Sequence, residues 1–228
     1  MSHKLLRVMR SKIIRHMPRS ELGLNILQYG RLRDWIKHHP CDKSVVDKFT
    51  LYDHVAREAF VDRPIDYLEF GVFNGTTMGY WSNHNKHQQS RFFGFDTFTG
   101  LPEEWRRLTG VTPKGTFSVN GEPPNLKDPR VRFIKGLFQE TADEFLCGFQ
   151  PKHQVVLNLD CDLYSSTLFV LTRFHSILKS GAIIFFDEFS SSNHEFRAFT
   201  DYVEAYRIRY ELLGYSGIDY EHIAIRIL

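Results

Sequence analysis

The stretch Leu68-Glu69-Phe70-Gly71-Val72-Phe73-Asn74-Gly75-Thr76-Thr77 decides the fold. An apolar run that begins at Ile65 passes directly into a turn with glycines at 71 and 75, and a helical stretch follows. A strand that ends in such a turn lets backbone N–H groups approach a ligand with no Cβ in the way, at the carboxyl edge of a parallel sheet. The spacing is G-x-x-x-G rather than G-x-G-x-x-G, so a dinucleotide cofactor is disfavoured. Gly71 and Gly75 also suit plain strand–helix packing, and the turn alone does not define a site.

Working outward, short apolar runs that end in Gly or Asp alternate with helical stretches, as in a parallel sheet built from βαβ units. Strands are expected near 65–71, 91–96, 131–135, 154–160, 182–187, 209–215 and 222–227, and helices near 76–86, 139–148, 165–179 and 194–208. No room for a helix separates the last two strands, so they form a hairpin. The expected fold is α/β: a Rossmann-like, seven-stranded, mostly parallel sheet with a C-terminal antiparallel hairpin strand and an N-terminal helical extension. Residues 1–60 read as that extension and 61–228 as the main domain. Within the extension, Leu24, Ile26, Leu27 and Leu32 fall on one side of a first helix. Val45, Val46, Phe49, Val55 and Phe60 fall on a second, with Pro40 between the two. Segment 106–130, rich in Gly and Pro and without periodicity, reads as a lid-like insertion.

Composition narrows the class. Apolar residues at 42% and charged residues at 25% are ordinary for a globular protein. A formal charge of +2 is too small to imply nucleic-acid binding. The basic excess is local: Lys4, Arg7, Arg10, Lys12, Arg15 and Arg19 share residues 1–20 with no acid. That segment reads as a helix packed on the domain or on a second subunit, which makes a homo-oligomer through the N-terminal helices an expectation. No spanning segment or signal-type apolar run is present, and Cys41, Cys147 and Cys161 are odd in number and scattered. A cytoplasmic location is expected.

Two further strand ends carry chemistry. The second ends in Gly94-Phe95-Asp96-Thr97-Phe98, and Asp96 follows Gly71 by 25 residues, the interval of one βαβ unit. An acid there is placed to accept hydrogen bonds from the ribose hydroxyls of a nucleoside whose other end lies on the first turn. The fourth strand ends in Asp160-Cys161-Asp162 and the fifth in Asp187-Glu188. Four carboxylates delivered to one crevice repel unless a cation compensates, and their oxygens suit a hard divalent ion such as Mg²⁺. The bland alternative, that Asp187 or Glu188 caps the helix near 194, accounts for one acid and not four.

The stretches LEFGVFNGTT, FGFDTFTGLPE, LNLDCDLYSSTLFVL and GAIIFFDEF, taken in order and spacing, resemble the class I methyltransferases of the macrocin O-methyltransferase type. The likeness runs from about Asp66 to Tyr206. It implies S-adenosylmethionine as cofactor, Mg²⁺ as metal, and transfer of a methyl group to a hydroxyl of a small sugar-like acceptor. It further implies cofactor contacts from Glu69, Gly71, Phe73, Gly75, Thr76, Asp96, Thr97, Phe98, Phe138 and Asp160. Metal ligation by Asp160, Asp187 and Glu188 and a general-base role for Asp162 are implied as well. The chain departs at Glu188, where the family usually has Asp. His194 is an alternative base in a metal-free mechanism, and Tyr52 and Phe138 are adenine or substrate contacts if they are not core aromatics. A non-catalytic nucleoside-binding protein of the same fold is the reading from another class.

Overall fold

A computed structural model describes residues 7, 10–12 and 21–228. The basic segment 1–20 otherwise lies outside the described residues, and with it most of the expected N-terminal basic helix. Helix α1 (Glu21–His38) leads to a two-residue strand β1 (Ser44–Val45) and helix α2 (Lys48–Ala59). Then come β2 (Ile65–Phe70), α3 (Thr76–His84), β3 (Arg91–Asp96), and a short pair β4 (Trp105–Arg107) and β5 (Gly110–Thr112). The chain continues through β6 (Val131–Lys135), α4 (Phe138–Gly148), β7 (Gln154–Leu159) and α5 (Tyr164–Arg173). It closes with β8 (Ile183–Phe186), α6 (Glu195–Tyr206), β9 (Tyr210–Ser216) and β10 (His222–Ile227).

The main sheet has the order β1-β9-β10-β8-β7-β2-β3-β6. Strands β2, β3, β6, β7 and β8 pair in parallel, while β10 is antiparallel to both β8 and β9. This is the expected Rossmann-like sheet with its hairpin. The eighth strand is β1, which pairs in parallel with β9 at Ser44↔Tyr215 and Val45↔Ser216 and is too short to leave a periodic signature.

Alternation along the strands sends side chains to two apolar layers. Leu68, Phe70, Phe95, Leu157 and Phe186 pack under α4, α5 and α6, and Ile65, Tyr67, Phe92, Val156 and Phe185 pack against Leu51, Tyr52 and Val55 of α2 and Trp81 of α3. Helix α2 is thus part of the sheet's cover. It starts at Asp47, whose Oδ1 accepts the N–H of Thr50 at 2.8 Å.

Three local expectations need correction. Leu24, Ile26 and Leu27 are 60–63% exposed, whereas Leu32 is buried and Trp35 and Ile36 pack on the core, so the covered side of α1 is one the apolar spacing did not single out. Val46 is 88% exposed and Val45 lies in β1, so neither belongs to a helix. Segment 106–130 is not uniformly loop: Trp105↔Thr112 and Arg107↔Gly110 form a small antiparallel pair, with Trp105 buried.

Candidate active site

At the carboxyl edge of the parallel strands, a cavity of about 320 Å³ is lined by residues from the ends of β2, β3, β7 and β8, and by α2 and the insertion. Its volume falls at the small end of the range for ligand sites. The topology explains the location. Strand β2 sits between β3 and β7, so the turn after it meets both neighbouring strand ends.

Gly71 makes the closest approach. Its φ is +93°, and a Cβ there would lie 1.8 Å from the carbonyl oxygen of Asp160, so only glycine lets the β2 and β7 ends cross. Non-glycine residues follow in the left-handed region at Phe73 (φ 50°), Phe98 (φ 60°) and Asp162 (φ 58°), one after each of β2, β3 and β7. Strained backbone of this kind persists where the surroundings over-determine it, and it gathers at ligand sites.

Asp96 ties the first two turns together. Its Oδ2 accepts the N–H groups of Val72 and Phe73, both at 2.8 Å, and its Oδ1 accepts that of Phe98 at 2.7 Å. A carboxylate has about four acceptor positions, so one remains at Oδ1 for a ligand. Glu69 lies beneath the cavity on the α2 side of the sheet and is 1% exposed. Tyr67 donates to its Oε2 at 2.7 Å, while its Oε1 is buried and has no partner among the described residues. Burial pushes its pKa up to about 8, against the lowering effect of the Tyr67 hydroxyl.

The carboxylates Asp160, Asp162, Asp187 and Glu188 all line the same cavity. Between Asp160 and Asp187 stands a cation that sequence reasoning missed, the ammonium of Lys48. Its Nζ donates to both carboxylate oxygens of Asp187, at 3.0 and 3.1 Å, and lies 3.9 Å from Asp160 Oδ2. Burial opposes the lysine's charge, but Asp187 and Asp160 outweigh it and raise its pKa. Burial and Asp187 push Asp160 up; burial and Glu188 push Asp162 up to about 7; burial and Asp187 push Glu188 up. Among the described residues, no three His, Cys, Asp or Glu side chains close on one point as a metal group. Asp160 and Asp187 share Lys48, and Glu188 lines the cavity without joining that contact.

The loop after β8 is built on one buried and one half-buried side chain. Glu195, fully buried, accepts the N–H of Glu188 at 2.9 Å. His194 has both ring nitrogens engaged: Nδ1 accepts the Tyr164 N–H at 3.3 Å, so Nε2 carries the proton and donates to the Arg106 carbonyl at 2.8 Å. Burial lowers its pKa, and in this arrangement it clamps the insertion instead of standing free as a base. His222 Nδ1 contacts the backbone carbonyl of Asp187 from behind.

Of the expected cofactor residues, Gly71, Phe73, Asp96, Thr97, Phe138 and Asp160 line the cavity. Glu69 and Phe98 are buried, and Gly75 and Thr76 begin α3 without lining it. Tyr52 is buried in the core and donates to Asn158 Oδ1 at 3.2 Å. Lys48, Trp105, Phe117 and Gln139 line the cavity and carry no motif from which to find them.

The family of macrocin O-methyltransferases matches residues 48–226 of this chain. An 8-demethyl-8-(2,3-dimethoxy-alpha-L-rhamnosyl)-tetracenomycin-C 4'-O-methyltransferase of Streptomyces olivaceus is 28% identical over 184 aligned positions, spanning 71% of this chain and 67% of that protein. Among solved structures, the calicheamicin methyltransferase CalS11 superposes with a TM-score of 0.58 at 20% identity, covering 99% of this chain and 93% of its own. The O-methyltransferase NovP does so with a TM-score of 0.55 at 21% identity, covering 77% of this chain and 75% of its own. At these identities the two structures establish the fold.

Proposed function

The chain belongs to the macrocin O-methyltransferase family of S-adenosylmethionine-dependent methyltransferases, and on that premise we propose that it methylates a hydroxyl of a sugar or glycosylated metabolite with the help of Mg²⁺. One observation carries this reading: Gly71, Phe73 and Asp96 line the same cavity as Asp160, Asp162, Asp187 and Glu188. The rhamnosyl-bearing acceptor named for the Streptomyces olivaceus relative supports the sugar-like class.

The residues fit the methyl donor. Glu69 Oε1 is an orphaned buried acceptor, and such groups in native proteins call for a partner; the ammonium of a methionine moiety supplies one. Asp96, with acceptor capacity left at Oδ1, suits a ribose hydroxyl. S-adenosylmethionine brings a methyl group already activated on sulfur. The protein's part is to align the acceptor oxygen and exclude water, and the insertion, with Trp105 and Phe117 on the cavity wall, provides the cover.

The residues also fit a divalent cation in charge and donor type. Asp160 and Asp187 already bracket one cation in the Lys48 ammonium, and the donor set is all oxygen. Asp160, Asp187 and Glu188 would hold Mg²⁺, which when bound lowers the pKa of an acceptor hydroxyl. Asp162, buried and held near neutrality, takes the hydroxyl proton. To test the assignment, the protein is incubated with S-adenosylmethionine and Mg²⁺ over a panel of glycosides and their aglycones, and products are read by mass spectrometry. Methylated glycosides are expected. Methylation of aglycones alone would overturn the sugar assignment.

A further inference from the structure

Lys48 occupies a position that helix electrostatics disfavours. It is the first residue of α2, where the exposed N–H groups repel a cation; the N-cap carboxylate of Asp47 is engaged with the N–H of Thr50, and the first turn itself contains no acid that pairs with the lysine. The helix cannot shift to relieve this, because Leu51, Tyr52 and Val55 are buried in the core. The compensation comes from across the cavity, in the contacts of 3.0 and 3.1 Å with Asp187 and the approach to Asp160. A departure from the local rule whose ion-pair partners are site residues points to a functional position.

From this juxtaposition we infer that Lys48 is a tethered counter-ion that competes with the divalent cation for the Asp160–Asp187 pair. The inference rests on the Mg²⁺ reading above and adds the regulation of that site. The lysine's flexible four-carbon stem lets its head withdraw while α2 stays fixed. Without divalent metal, the ammonium neutralises part of the carboxylate cluster and keeps the site folded. A divalent ion must displace the ammonium to reach Asp187, so the wild-type site binds metal more weakly than its carboxylates alone would.

The test is titration of Mn²⁺ into the full chain, followed by calorimetry and by the electron paramagnetic resonance of free Mn²⁺, for wild type, Lys48→Met, Lys48→Gln and Lys48→Arg. Loss of the competing charge should tighten Mn²⁺ binding about tenfold or more in the Met and Gln variants, a step equal to about 1.4 kcal/mol. The Arg variant, which keeps the charge, should remain weak. Circular dichroism checks that each variant folds, and agreement of Met with Gln excludes a packing artefact in either. Wild type and the neutral variants binding Mn²⁺ equally well, or the variants binding it less well, would overturn the inference and leave the metal site standing. Absence of Mn²⁺ binding in every variant would overturn both the inference and the Mg²⁺ reading.

Discussion

Glu69 is a buried carboxyl with one oxygen unpartnered among the described residues and a pKa pushed by burial up to about 8. At pH 7 it therefore holds its proton for most of the time. A cationic amino group arriving at Oε1 favours the charged form, so cofactor binding should release up to one proton at pH 7. The binding enthalpy of S-adenosylmethionine should then vary with the ionisation enthalpy of the buffer, and Glu69→Gln should remove that dependence. Buffer-independent heat in the wild type would mean that no cation meets Glu69. The linkage also has a sign for the free protein. The folded-state value lies above the ordinary carboxylate value, so stability from this group is full at low pH and is lost as pH rises from about 4.5 to about 8. At this scale the sequence was legible where an acid ended a strand, as at Asp96, Asp160 and Asp187. Lys48 was not legible, because a lone lysine at a helix start carries no pattern, and its partners lie far away in sequence.

The elements of the sheet were legible because buried parallel strands leave continuous apolar runs, and βαβ spacing repeats. The insertion was not. Strands of three residues are too short for alternation to register, and β4 and β5 are held by pairing and by a buried Trp105. Helix α1 misled for a different reason: its apolar residues are spread around the axis, and only the strand and helix positions it meets decide which side is covered. The insertion is tied to the start of α6 by the hydrogen bond from His194 to the Arg106 carbonyl, and Glu103, just before the insertion, accepts from Ser165 of α5. We propose that it acts as a lid whose closed position this clamp favours. His194→Ala should raise amide hydrogen exchange across residues 105–112 in the free protein, with much of the protection regained when S-adenosylhomocysteine and acceptor are bound. Exchange in that segment identical to the wild type would show that the hairpin is held by its own pairing and by Trp105.

For the molecule as a whole, the sheet order brings the ends of β2, β3, β7 and β8 to one edge, and the cavity lies where they converge. The residues proposed to meet the methyl donor, Asp96 and Gly71, share that edge with those proposed to meet the acceptor, Asp162, Asp187 and Glu188. On the proposed function, a divalent ion in the carboxylate cluster serves methyl transfer and not cofactor capture. The direct measurement is the rate of methyl transfer to a responsive glycoside by enzyme stripped with EDTA and then resupplied with Mg²⁺, with cofactor affinity followed by calorimetry in the same samples. Turnover should be lost on stripping and restored by Mg²⁺ while affinity for S-adenosylmethionine stays nearly constant. Turnover at the full rate in EDTA would contradict it and leave Asp162 and the Lys48 ammonium to serve the reaction without a metal.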